Sequence, residues 1–330
     1  MKRVKVGIVG LVVVALFLGI ALTGVLAQQE KYPTRPVTII CPWKPGGAAE
    51  IAARIMAKYL EPILGQRVDV VCKTGGTGAT GTTFVKNSKA DGYTLIQAFI
   101  GPFAQVPLYL GDKCPYDPLK DFYPLGQYSD EPVVMLAKKE KPWDTIKDFI
   151  MDAKNHPGKY KCGAGGSLSL HAIFASELFR KAGVDVKIVP YPGCLAGVPD
   201  LLGGDLDIIS GNYTGLALYP DLKALGVFAN KRDPLMPNVP TIKELGYDVE
   251  AVSTWAGYAV RSETPDYIKE KLVTAIRKVA TSKEFKDEMW KKIKVRVVYR
   301  NPVEFYKLWE DSLRVMEGPV KRLIEAQKKK

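Results

Sequence analysis

The spacing of apolar and polar positions divides the chain into short strands and amphipathic helices. Val37-Thr38-Ile39-Ile40 is a β-branched run and reads as a buried strand. Pro42 to Gly47 can continue neither a strand nor a helix, so the chain turns there. From Ala48 the period becomes helical. Ile51, Ala52, Ile55, Met56, Tyr59 and Leu60 share one face, and Glu50, Arg54, Lys58 and Glu61 the other. Such a strand, glycine turn and helix leaves unpaired backbone N–H groups at the positive end of a helix dipole, which suits an anion. Val68-Asp69-Val70-Val71 and the loop Gly75-Gly76-Thr77-Gly78-Ala79-Thr80-Gly81 repeat the pattern. Sequential parallel strands are usually neighbours, so the two loops are expected to share one crevice at the carboxyl edge of a sheet.

The pattern continues along the chain. A short helix is expected from Thr82 to Ser88 and a third strand from Thr94 to Ala98, ending at Phe99 and Ile100. Pro115 to Pro124 reads as a proline-rich turn region rather than an element. A change of domain is expected near Gln127. Beyond it lie a strand at Val133–Ala137 and a helix capped by Trp143-Asp144-Thr145 and stopped at His156-Pro157-Gly158. A further unit follows: Lys159 to Cys162, the glycine loop Gly163 to Ser167, and a helix from about Leu168 to Lys181. Strands are expected at Val186–Val189, Asp207–Ser210 and Val252–Val260. Asn301-Pro302-Val303-Glu304 has the outline of a capping box opening the last helix.

The N-terminus bears on the compartment. Lys2, Arg3 and Lys5 precede an apolar run from Val6 to Leu26, and Val25-Leu26-Ala27 has the small-x-small outline of a signal peptidase site. Residues 1–27 are read as a secretory signal peptide, with an uncleaved anchor as the alternative. Without those three cations the net charge of +12 falls to +9, which favours anionic partners. Export and the lack of a clustered basic stripe argue against nucleic acid. Export permits disulfides, and Cys41 and Cys72 end the first two strands, where a bridge would be within reach. Cys114, Cys162 and Cys194 complete an odd count of five.

The candidate chemistry is sparse. Gly76-x-Gly78-x-x-Gly81 matches a dinucleotide fingerprint, but the following strand ends Gln97-Ala98-Phe99 without the acid that would hold a ribose. No P-loop, cofactor motif or metal-ligand spacing is found. Of two histidines, His171 lies near Ser169 and Cys162 in sequence, so an exported hydrolase using His171 with either nucleophile is the alternative to a binding protein. Ser167 and Ser169, at a helix start, suit the second carboxylate of a diacid or plain helix capping.

Several stretches together resemble the tripartite tricarboxylate transporter substrate-binding proteins, the Bug-type extracytoplasmic solute receptors. They are Tyr32-Pro33-x-Arg35-Pro36, Pro42-Trp43-x-Pro45-Gly46-Gly47-Ala48, the GGTGATG loop, Asp91-Gly92-Tyr93-Thr94-Leu95, Pro115-Tyr116-Asp117-Pro118, Gly203-Gly204-x-x-Asp207 and Pro237-x-Val239-Pro240-Thr241. The resemblance implies an α/β, two-lobed periplasmic-binding-protein-like fold of the Venus-flytrap kind, with a ligand cleft between lobes. Lobe I would be residues 28–128 plus 253–330, and lobe II residues 129–252. It implies a periplasmic, monomeric, non-enzymatic receptor without a cofactor. Such a receptor delivers a small carboxylic acid, a dicarboxylate or an aromatic acid among the options, to membrane permease subunits. A sensor that binds the same ligand is a further alternative. Ligand contacts would come from Gly47, Ala48 and Ala49, from Gly78, Ala79 and Thr80, and across the cleft from Ser167, Ser169 and Asn212. Trp43, Glu50 and Phe99 depart from the family pattern at the same site and join the candidates. Phe99 and Ile100 stand where small polar residues are frequent, which leaves room for an aromatic or apolar acid.

Overall fold

The computed structural model describes residues 31–328, so the expected signal peptide lies outside the described residues. Residues 31–34 carry no regular element, and the chain from Arg35 onward packs as one compact unit. Its first part runs β1 (Val37–Cys41), α1 (Ala48–Leu64), β2 (Val68–Cys72), α2 (Ala79–Lys86), β3 (Thr94–Phe99), the short helices α3 (Val106–Leu110) and α4 (Pro118–Asp121), and β4 (Phe122–Glu131). The middle part runs β5 (Val133–Lys138), α5 (Ile146–Asn155), β6 (Lys161–Ala164), α6 (Leu170–Ala182), β7 (Lys187–Pro190), α7 (Val198–Gly203), β8 (Ile208–Asn212), α8 (Tyr213–Leu218) and β9 (Leu222–Phe228). The chain then returns with β10 (Thr254–Arg261), α9 (Asp266–Thr281), α10 (Lys283–Ile293), β11 (Val297–Arg300) and α11 (Pro302–Lys328).

These strands form two sheets. One has the order β11-β4-β10-β3-β1-β2 and the other β7-β6-β8-β5-β9. β1 pairs parallel with both β2 and β3, so the carboxyl ends of all three strands open on the same edge. β6 likewise pairs parallel with β7 and β8. The two sheets are the cores of two α/β lobes. The chain crosses outward between Glu131 and Val133 and returns before Thr254, which is paired with Glu131 in the first sheet. α11 binds back across the lobes: Arg322 donates to the buried carboxylate of Glu177 on α6 at 2.8 Å. Among the described residues, no helix is long and apolar enough to cross a membrane.

The stretch from Pro115 to Pro124 differs from its expectation. It contains α4, whose N-cap Asp117 accepts the Leu119 N–H, and it runs into the ten-residue strand β4. β4 stays in the first sheet as far as Glu131, past both the expected change near Gln127 and the boundary after residue 128. Cys41 and Cys72 are register partners across β1 and β2, as their positions suggested, but both thiols are free, as are Cys114, Cys162 and Cys194. Burial pushes the Cys41 thiol up to about 12.

Candidate functional site

The start of α1 is built to leave donors open. Gly46 has φ +79°, a conformation glycine adopts without strain, and the N-cap Gly47 offers no side-chain cap. The first N–H of the helical ladder is that of Ile51, bonded to the Gly47 carbonyl. The amides of Ala48, Ala49 and Glu50 therefore precede the ladder. Glu50 does not extend outward. Its carboxylate accepts the Gly46 N–H at 2.9 Å and meets Arg54 at 2.6 Å, and those bonds hold its pKa below the usual carboxylate value. It closes the turn from inside. Gln97 on β3 steadies the same turn, donating to the Ala49 carbonyl at 3.0 Å and to the Tyr128 hydroxyl at 2.8 Å.

The loop after β2 is tight. Gly75, Gly76, Thr77 and Gly78 all have positive φ, and Thr77 at +55° is a rare place for a β-branched residue. A Cβ on Gly78 would lie 3.1 Å from Pro102 and 3.2 Å from Pro42, so this glycine packs inward and turns Thr77 outward. On the second lobe, Ser169 caps α6 by accepting the Ala172 N–H at 3.1 Å. His171 in the first turn bonds through Nε2 to the side-chain Oδ1 of Asn212. The Asn212 amide donates to the Thr254 hydroxyl at 2.7 Å, and that hydroxyl donates to the Glu131 carbonyl at 2.9 Å. This chain of bonds ties α6 to the lobe crossing. Burial lowers the pKa of His171, more than the Asn212 bond opposes it, so the ring is neutral at pH 7.

A cavity of about 680 Å³ lies between these parts and is lined from both lobes. Of the expected site residues, Trp43, Ala48, Ala49, Phe99, Ser167 and Ser169 line it. Gly47, Glu50, Gly78, Ala79, Thr80 and Asn212 are not in its wall. Gly47 caps α1, Asn212 holds His171 from behind, and Thr77 faces the cavity in place of its three neighbours. Ile100, Gln105, Tyr128, His171, Tyr191 and Thr254 also line it. Local sequence carries no signal for Thr254: it reaches the cavity because β10 inserts between β3 and β4 in the sheet. Trp43 meets Phe99 edge-on, with ring centroids 5.7 Å apart.

The arrangement does not bring a nucleophile to a base. His171 is paired with Asn212, Ser169 Oγ is the cap of α6, and the buried Cys162 thiol points at the Gly163 carbonyl with its pKa pushed up to about 12. Neither Ser169 nor Cys162 is bonded to His171, whose Nε2 is taken by Asn212. Among the described residues, no three His, Cys, Asp or Glu side chains converge as a metal site.

Two α/β lobes about a shared cavity define the class of two-lobed periplasmic solute-binding proteins. Within it, the chain belongs to the tripartite tricarboxylate transporter family receptors, whose family model matches residues 52–327. Protein BugT of Bordetella pertussis is 32% identical over 249 residues, 74% of this chain and 76% of BugT. A TctC solute binding protein from Polaromonas aligns with TM-score 0.76 at 27% identity, covering 88% of this chain and 99% of that one. MatC from Rhodopseudomonas palustris with bound malate aligns with TM-score 0.72 at 26% identity, covering 88% and 100%. Membership in a family of periplasmic binding proteins supports an extracytoplasmic location.

Proposed function

We propose that this protein captures a small carboxylic acid in the interlobe cavity and presents it to the membrane permease subunits of a tripartite tricarboxylate-type transporter. The observation that carries the reading is that the first turns of α1 and α6 line one cavity from opposite lobes. A carboxylate at the start of α1 takes the amides of Ala48 and Ala49, with the Thr77 hydroxyl beside them. Ser167 and Ser169 serve the far side. Charge-assisted bonds contribute about 1.5–3 kcal/mol each, and micromolar affinity requires about 8 kcal/mol, so a few of them from two preorganised turns suffice. The malate bound to MatC supports a carboxylate ligand class. Gly47, Glu50, Gly78, Ala79, Thr80 and Asn212 shape these walls from behind. In this reading lobe II begins after Glu131, where the chain changes sheets, and ends before Thr254. The receptor acts as a monomer outside the cytoplasm and needs no cofactor.

A thermal-shift screen of the exported chain against mono-, di- and tricarboxylates and aromatic acids tests the reading. A cognate acid raises the melting temperature by mass action. If no acid shifts it at millimolar concentration, the receptor reading falls. A permease encoded beside the gene distinguishes transport from sensing.

A further inference from the structure

The cavity wall does not resemble a site for a compact polyanion. None of its lining residues is Asp, Glu, Lys or Arg, and its histidine is bonded to Asn212 rather than aimed at the space as a cation. Negative charge in this cavity is met only by neutral dipoles, the hydroxyls and the amides of two helix starts. Burying charge without a paired cation costs free energy for every group that lacks its own donors. The two helix starts supply donors for two well-separated carboxylates, and a further one finds no comparable set in the wall. Much of it is apolar instead: Trp43 and Phe99 as an edge-to-face pair, Ile100 beside them, Leu168 from the second lobe, Ile293 at the end of α10 and Val295 just past it.

Resting on the receptor reading above, we infer that the ligand is an aromatic carboxylic acid, its carboxylate at the start of α1 and its ring against Trp43 and Phe99. An aromatic ring places its edge or face against these two rings in the offset geometries that aromatic pairs favour. It fills apolar space that a hydroxylated aliphatic acid would leave to water or dehydrate itself to enter. Ser129 and Gln105 are neutral polar residues of the wall that remain for ring substituents or a second, distant carboxylate.

Isothermal titration of the exported chain with benzoate, terephthalate, adipate and malate tests the inference. At least one of the two aromatic acids should bind about tenfold or more tightly than both aliphatic acids. In a Phe99→Ser variant the aromatic-to-malate affinity ratio should fall about tenfold, and in Phe99→Leu, which keeps apolar bulk, by less. Malate or adipate binding more tightly than both aromatic probes overturns the inference and leaves the receptor reading standing. A Phe99→Ser variant that weakens all acids equally also overturns it. Should none of the four bind, the inference fails, and the receptor reading is decided separately by the broader thermal-shift screen. The wild-type affinity order stands whether or not the variants fold.

Discussion

Two residues, one in the cavity wall and one packed behind it, show how backbone geometry sets its chemistry. Ala48 is the first residue of α1, and the preceding Gly47 is extended at φ −84°, ψ 165°. Proline is tolerated at a first helical position and accepts an extended residue before it. Ala48→Pro therefore deletes one amide donor while keeping the turn. The melting temperature should stay near that of the native chain, and Kd for the cognate acid should rise roughly ten- to a hundredfold, the loss of one charge-assisted bond. An unchanged Kd by titration calorimetry removes this amide from the site. Gly78 is the opposite case. Its φ of +89° and its packing on Pro42 and Pro102 exclude a Cβ without strain, so Gly78→Ala should lower unfolding free energy by roughly 1–3 kcal/mol in a urea titration. A native midpoint would mean that the loop relaxes freely and does not hold Thr77 in place.

Among the elements, those read most directly from the sequence are the ones whose pattern is local. β1, β2, β3 and α1 carry β-branched runs or a helical period, and the two glycine loops after β1 and β2 do fall on one edge of one sheet. β4 was illegible for a physical reason. Its sequence, Phe122 to Glu131, contains Pro124, Gly126 and four polar residues from Gln127 to Glu131, yet nearly all of it is buried. The polar groups are satisfied from far along the chain: Arg300 donates to Gln127 at 2.7 Å and to Asp130 at 2.6 Å. A register shift between Tyr258 and Ala259 of β10, opposite Gly126 and Pro124, accommodates the breakers. Periodicity cannot see partners 170 positions away. The same holds for the site, where helix starts were visible but Thr254, Tyr128 and Gln97 depend on strand order. Gln97 tests this at the level of the element. Gln97→Met keeps bulk but removes the donor that ties β3 to the Ala49 carbonyl and to Tyr128. Stability should drop by about 1–3 kcal/mol, and ligand affinity should fall although Gln97 is behind the wall. If affinity is unchanged in the folded variant, the start of α1 needs no tie to the sheet.

At the scale of the molecule, the crossing between lobes carries a buried acid whose ionisation the fold resists. Glu131 ends β4 where the chain leaves the first sheet. Its carboxylate accepts the Thr214 hydroxyl of α8 at 2.9 and 3.0 Å. Burial raises its pKa from 4.5 to about 7, with Asp130 adding to the rise and Thr214 and Arg296 opposing it. Arg296 is a weak counterion here because it is already paired with the buried Asp233 at 2.8 Å. The folded state thus binds a proton at pH 6 that the unfolded chain has released. The stability this contributes is full below the unfolded value of 4.5 and is lost as pH rises through about 7, a change of roughly 3 kcal/mol. Glu131→Gln keeps an oxygen for the Thr214 hydroxyl and removes the charge. The variant should match the native chain near pH 4 and exceed its unfolding free energy by roughly 3 kcal/mol at pH 8, measured by urea denaturation at each pH. A difference between the two proteins that does not change with pH would show that Glu131 ionises freely in the folded state and that the crossing is more open to water than its burial indicates.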